Sequence, residues 1–280
     1  MTRHAEVILS ILGSSFRVTS EDARMVDLVR ELWGPFVAGP ERVNPADVRL
    51  EVRGEAWHLR MADEPHVAAS DPWLVASSLR NALSRRAIAR ATSIVPLHAA
   101  AAERDGVFVV LSGQPRAGKT TLLLDLLDRG WRLVTDDLVP LDPKALTATP
   151  FPKPLSIRDP DRWARFARGW DVPGWLPPPA GAGLLPADAL PLSAATTFTP
   201  SVLVFPQFDE GAAPLGERLT AAQTLAWTAD NLHTREPGPG VLPALARLGT
   251  EVPGHVLRYG SSDAALGLLE KCLAGSTAME

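Results

Sequence analysis

The chain has 280 residues, 46% hydrophobic and 21% charged, a balance that suits one large or two modest globular domains and excludes general disorder. A formal net charge of −4 excludes a nucleic-acid binder that works through a broad basic surface. A single cysteine, Cys272, excludes an internal disulfide and a cysteine zinc cluster, and Val7–Leu12 is too short for a signal core or a membrane span. The expected setting is the cytoplasm, with neither nucleic acid nor membrane as a partner.

Residues 1–92 read as an N-terminal α+β segment. Val7–Leu12 and Phe16–Thr19 are expected as paired strands turned by Gly13-Ser14-Ser15. Met25, Val26, Val29 and Leu32 recur at helical spacing in Asp22–Trp33. Val48–Val52 and Trp57–Met61 form a second expected strand pair, and Pro72–Ala91 a long helix whose arginines read as a solvated face.

Residues 93–280 read as a second, larger unit. Leu97–Ala102 and Val107–Leu111 are expected strands, followed by a glycine-rich loop, a helix through Leu127, and Gly130 as its stop. Trp131–Thr135 is a strand that delivers Asp136 and Asp137 at its end, and Leu138–Leu141 is a further apolar stretch. Beyond it the pattern thins. Gly169–Pro191, rich in proline, glycine and alanine, reads as a long irregular loop that either packs over an acceptor site or is a passive surface excursion. Ser201–Phe205 and His255–Tyr259 are expected strands, and Leu219–Leu232, Leu242–Leu248 and Asp263–Leu273 helices, with Ala274–Glu280 frayed.

The loop Gly113-Gln-Pro-Arg-Ala-Gly-Lys-Thr120 satisfies G-x-x-x-x-G-K-[ST], the P-loop pattern, between an apolar strand and an amphipathic helix. Gly113 and Gly118 let backbone N–H groups approach phosphate oxygens, and the following helix points its positive end at the same anion. Lys119 supplies a cation to the β- and γ-phosphates, and the Thr120 hydroxyl a ligand for Mg²⁺. Gly113, Gln114, Pro115, Arg116, Ala117, Gly118, Lys119, Thr120 and Thr121 are the candidate nucleotide-binding residues, and ATP with Mg²⁺ is the expected cofactor pair.

Asp136 lies 17 residues past Lys119 (136−119). Adjacent carboxylates on an extended chain point to different sides, so one can serve the metal and the other the reacting hydroxyl. The alternative is that one of them caps the following turn. His98 lies 21 residues before Lys119 (119−98); taken alone, it reads as a core histidine.

The order of these motifs resembles the HPr kinase/phosphorylase family and the related phosphoenolpyruvate carboxykinase group. The carriers are Leu97-His98-Ala99-Ala100, Gly113–Thr120, Arg129-Gly130-Trp131-Arg132-Leu133-Val134-Thr135-Asp136-Asp137 and Phe151-Pro152-Lys153-Pro154-Leu155-Ser156, with Leu203-Val204-Phe205-Pro206 and Leu257-Arg258-Tyr259 as later landmarks. The likeness is strong over about residues 94–160 and is greatest to the shorter HPr-kinase-related proteins of bacteria.

Periodicity alone suggests a parallel sheet. The resemblance implies an α/β fold with a mixed-sheet P-loop kinase core, preceded by the small α+β segment. It implies Thr120 and Asp136 as metal ligands, Asp137 as the catalytic base, and His98 beside the phosphates or metal, with Lys119 completing the catalytic set. It further implies a serine or threonine acceptor in a peptide or protein, such as a ribosomally made precursor peptide, and a homo-oligomer; the alternatives are a small-molecule hydroxyl kinase and a nucleotide-gated binding module without phosphotransfer. The paired glutamates that HPr kinases carry after the acidic residues have no counterpart here, and Lys153, Arg158 or Arg235 would have to supply the later positive charge.

Overall fold

The computed structural model describes residues 5–39, 45–62, 64–234 and 238–277. Two compact units emerge from the chain: Met1–Thr92 with Lys153–Leu190, and Ser93–Pro152 with Pro191–Glu280.

The first unit opens with β1 (Ala5–Ile11), β2 (Ser14–Ser20), α1 (Ala23–Leu32), β3 (Val37–Ala38), β4 (Ala46–Arg53), β5 (Ala56–Met61), β6 (Val67–Ala69) and α2 (Pro72–Arg90). The strands form one sheet in the order β3-β1-β2-β4-β5-β6, with β2 and β4 parallel and the other pairs antiparallel. Ile11 pairs with Ser14, so the first hairpin turns on Leu12 and Gly13, both at positive φ, and the two serines expected in the turn belong to the strand. Period-2 alternation buries Phe16 and Val18 under α1, whose Met25, Val26, Leu28, Val29 and Leu32 are buried. Asp22 and Asp71 cap α1 and α2 by accepting from backbone N–H groups, and Pro72 occupies the first turn of α2, where no intrahelical donor is needed.

The second unit begins with β7 (Val95–Leu97), β8 (Ala99–Arg104), β9 (Val107–Ser112), α3 (Lys119–Leu127), β10 (Arg132–Thr135) and β11 (Val139–Leu141). The chain then returns to the first unit for β12 (Leu155–Ile157), α4 (Pro160–Phe166) and β13 (Gly183–Leu185). It completes the second with β14 (Val202–Phe208), β15 (Leu215–Arg218), α5 (Ala221–Ala229), α6 (Val241–Glu251), β16 (Gly254–Tyr259) and α7 (Ser262–Thr277). The main sheet runs β10-β8-β9-β14-β16-β15. Its centre, β9-β14-β16, is parallel, while β8, β10 and β15 run antiparallel to their neighbours. The sheet is therefore mixed, as the family resemblance implies, and not the all-parallel sheet that periodicity suggests. Ala99–Ala102 are buried without exception, so this part of β8 lies inside the unit although none of the four carries a large side chain.

Two expectations need correction. Residues 153–190 group with the N-terminal residues and not with the 93–280 core. Gly169–Pro191 is also less irregular than its composition suggests: β13 within it pairs antiparallel with β12, and Leu184 and Leu185 are fully buried. The physical reason is a tryptophan cluster. Trp73 meets Trp163 and Trp170 edge-on at ring distances of 5.5 and 6.3 Å, and its indole donates to the Pro177 carbonyl at 2.7 Å. The partners of the segment's tryptophans Trp170 and Trp175 are thus within the N-terminal unit. The helix α7 also continues to Thr277, past the expected fraying point at Ala274, while 278–280 lie outside the described residues.

Candidate functional site

The loop between β9 and α3 takes its shape from two left-handed residues, Arg116 at φ 71° and Gly118 at φ 97°. Gly118 stands at the N-cap of α3 with no side chain to cap the first turn. A Cβ there would also meet the Tyr259 hydroxyl at 2.7 Å, so glycine is required both by backbone conformation and by space. Below the loop, the Tyr259 hydroxyl is buried with no hydrogen-bond partner. Burial, and then the nearby Asp125, pushes its pKa well above the ordinary phenol value. Gln114, Pro115, Arg116 and Thr121 are exposed, whereas Ala117 is half-buried.

Lys119 is only 8% exposed. Its Nζ donates to the carbonyls of Gly113 at 2.6 Å and Gln114 at 3.2 Å, folding the side chain back along its own loop. Burial lowers its pKa, and the charges of Asp137 and Asp136 oppose the shift. The ammonium therefore sits in a desolvated position facing two carboxylates, where an added polyanion would find strong electrostatic complementarity.

The Thr120 hydroxyl lies 3.3 Å from Asp136 Oδ1, and Asp136 is buried. Asp137 has φ 69°, so the chain leaves β10 through a left-handed residue. This turn, and not the alternation of an extended strand, sends the neighbouring carboxylates to different partners. Thr135 braces the turn from inside, its hydroxyl lying 2.6 Å from the Leu138 carbonyl and 2.9 Å from that of Phe151.

His98 sits between β7 and β8, at a break in the strand run. Its Nε2 lies 3.0 Å from Asp137 Oδ1. A third residue, His233, completes the group. Its Nε2 hydrogen-bonds the Asp137 backbone carbonyl, and its ring centre lies 4.8 Å from that of His98. One ligand atom from each of His98, Asp137 and His233 lies within 4.8 Å of the others, and two imidazoles with a carboxylate can bind a divalent transition metal. In the arrangement observed, both Nε2 atoms are directed at Asp137, so hydrogen bonding is the chemistry the geometry displays.

Lys119, Thr120, Asp136, Asp137 and His98 thus come together in the second unit, beside the loop Gly113–Thr120. Lys153 is buried and, with Arg158, groups with the first unit. Arg235 lies outside the described residues. His233 is absent from the sequence reading because it follows an apolar helix with no motif around it. The contacts that place it cannot be read from spacing: His233 N–H donates to the Pro96 carbonyl at 2.9 Å, and Leu232 bridges to Leu97.

No protein-family model matches the chain, and no curated protein matches it in sequence. Among solved structures it is similar to the Hpr(Ser) kinase/phosphatase from Coxiella burnetii, at 15% identity and a TM-score of 0.35, over 64% of this chain and 97% of that one.

Proposed function

We propose that the chain is an ATP-dependent phosphotransferase that moves the γ-phosphoryl group of MgATP to a serine or threonine hydroxyl of a peptide or protein. The observation that carries this reading is the convergence of three elements: a glycine loop with a desolvated lysine, a hydroxyl–carboxylate pair, and a carboxylate held by histidine. Phosphoryl transfer needs a phosphate cradle, a charge clamp and a group that orients the nucleophile.

Each part has a residue that fits it. The backbone of Gly113–Thr120 and the N-terminus of α3 would hold the phosphates, with Lys119 swinging from its loop carbonyls onto the β- and γ-oxygens. The Thr120 hydroxyl and the Asp136 carboxylate form an all-oxygen donor pair of the kind a hard cation takes, so these two would hold Mg²⁺. The bound ion supplies neutralisation of phosphate charge. Asp137 would accept the proton of the acceptor hydroxyl, while His98 Nε2–H fixes the orientation of its carboxylate. A peptide or protein acceptor, including a ribosomally made precursor peptide, is the class the family resemblance implies.

The test is incubation with γ-labelled ATP, Mg²⁺ and a pool of serine- and threonine-containing peptides, read by mass spectrometry. Label on serine or threonine that disappears without Mg²⁺ and in Lys119→Ala supports the proposal. Tight MgATP binding with no transfer to peptide would overturn it in favour of a small-molecule hydroxyl kinase or a nucleotide-gated binding module.

A further inference from the structure

Asp137 is held at both ends. Its carboxylate meets His98 Nε2 at 3.0 Å, and its backbone carbonyl meets His233 Nε2. A carbonyl can only accept, so the His233 contact requires the tautomer or cation that carries the proton on Nε2. The conformation so held is a left-handed one for a non-glycine residue, φ 69°, which costs of order 1 kcal/mol and persists only where the surroundings fix it.

The segment carrying His233 is itself tied to the rest of the site. Asp230 offers its carbonyl to Gln114 Nε2 of the loop at 2.8 Å. Asn231 offers its carbonyl to the His98 backbone N–H at 2.8 Å, and Leu232 bridges to Leu97. Asp230–His233 therefore works as a strap: one residue touches the phosphate loop, the next fixes the backbone of His98, and the last fixes the backbone of Asp137.

We propose that His233 is a positioning residue for phosphotransfer, holding Asp137 in the left-handed conformation that brings its carboxylate to His98. This rests on the phosphotransferase reading above. His233 does its work through the Asp137 carbonyl, so it needs no contact with the substrate, and a neutral side-chain N–H donor of similar reach should replace it. Loss of the donor lets Asp137 relax toward an ordinary backbone conformation and swings its carboxylate off His98. The loop Gly113–Thr120, Lys119 and the Thr120–Asp136 pair remain in place.

The test compares wild type, His233→Ala and His233→Gln in the full chain. Three quantities are read: MgATP affinity by calorimetry, transfer of label from γ-labelled ATP to a serine/threonine peptide pool and to water, and the downfield ¹H resonance of the His98 Nε2 proton shared with Asp137. Misplacing a reacting group by about 1 Å costs up to about 100-fold, so His233→Ala should lose about 10- to 100-fold in turnover while MgATP affinity changes by less than about twofold. His233→Gln should recover most of the loss, and the resonance should be present in wild type and His233→Gln and absent in His233→Ala. Wild-type turnover and an unchanged resonance in His233→Ala, or His233→Gln as impaired as His233→Ala, would overturn the proposal. If the wild type binds MgATP and transfers phosphate to neither peptide nor water, the phosphotransferase reading fails, and the resonance alone decides whether His233 positions Asp137.

Discussion

Thr120 Oγ1 and Asp136 Oδ1 lie 3.3 Å apart across 16 residues of chain, one at the first turn of α3 and the other just past the end of β10. The neighbouring Asp137 faces His98 instead. Two adjacent carboxylates therefore have different partners, and their removal should have different consequences.

Asp136→Asn leaves a neutral amide beside Thr120, a poorer ligand for a hard cation, and should weaken Mg²⁺-dependent nucleotide binding. Asp137→Asn retains a side chain that tolerates the left-handed region and should leave MgATP affinity nearly intact. Its turnover should fall by about 10²- to 10⁴-fold, toward the lower end for a loose transition state. Calorimetry and single-turnover transfer on each variant separate the two effects. Transfer at the wild-type rate by Asp137→Asn would make Asp137 a structural residue.

Lys119 gives a prediction with a pH sign. Burial lowers its pKa in the folded protein, so the unfolded chain holds the proton more tightly than the folded chain does. Between the lowered folded value and the ordinary lysine value, the unfolded state binds more protons, and stability from this group rises with pH. Lys119→Met removes the contribution. The melting temperature of wild type relative to Lys119→Met should rise as pH increases through that alkaline window, and MgATP should raise the melting temperature of wild type alone. A difference that falls with pH would contradict the desolvated placement of the ammonium.

Gly118 and Tyr259 test the packing beneath the loop. A Cβ on residue 118 would lie 2.7 Å from the Tyr259 hydroxyl at a backbone φ of 97°. Gly118→Ala should destabilise the protein and weaken nucleotide binding together. Tyr259→Phe removes a buried hydroxyl that has no partner, and leaving such a group unsatisfied costs about 1–3 kcal/mol, so this variant should be neutral or stabilising. The double variant should recover part of the Gly118→Ala loss and not all of it, because the left-handed backbone still disfavours alanine. Thermal melts of the four proteins form the required cycle.

Trp73 tests the first unit. It is 2% exposed, packs on Trp163 and Trp170, and donates to the Pro177 carbonyl. Trp73→Ala should cost about 3–5 kcal/mol, as large aromatic truncations in cores do. Trp73→Phe keeps most of the ring contact and should cost less. Limited proteolysis should cut within 169–182 far faster in Trp73→Ala than in wild type; equal rates would separate this segment from the cluster.

Most of the site was legible because its chemistry is local in sequence. Gly113–Thr120 declares itself by spacing, and Asp136 and Asp137 follow one helix and one strand later. The mixed sheet was not legible from periodicity, since a buried apolar run such as Val107–Leu111 looks the same in a parallel or antiparallel setting, and the family resemblance supplied it. The left-handed turn at Asp137 is not fixed by residue type, since aspartate tolerates that region without requiring it. His233 was missed because 96 residues separate it from Asp137, and the gap is closed by the bridge between Leu97 and Leu232 and the backbone hydrogen bonds on either side of it. The 153–190 segment was misread for a related reason: its prolines and glycines signal a loop, while the tryptophans that anchor it meet partners far along the chain.

The return of β12, α4 and β13 to the first unit has a consequence for how the chain is made. When the chain has been made as far as Thr92, all six strands of the first sheet are present, but Trp73 has neither Trp163 nor Trp170 to cover it. The first unit must wait, with that indole open to solvent or to chaperones, until the whole of Ser93–Pro152 has also emerged. The two units therefore interleave in synthesis: the first is interrupted by Ser93–Pro152 and completed at Leu190, before Pro191–Glu280 completes the second.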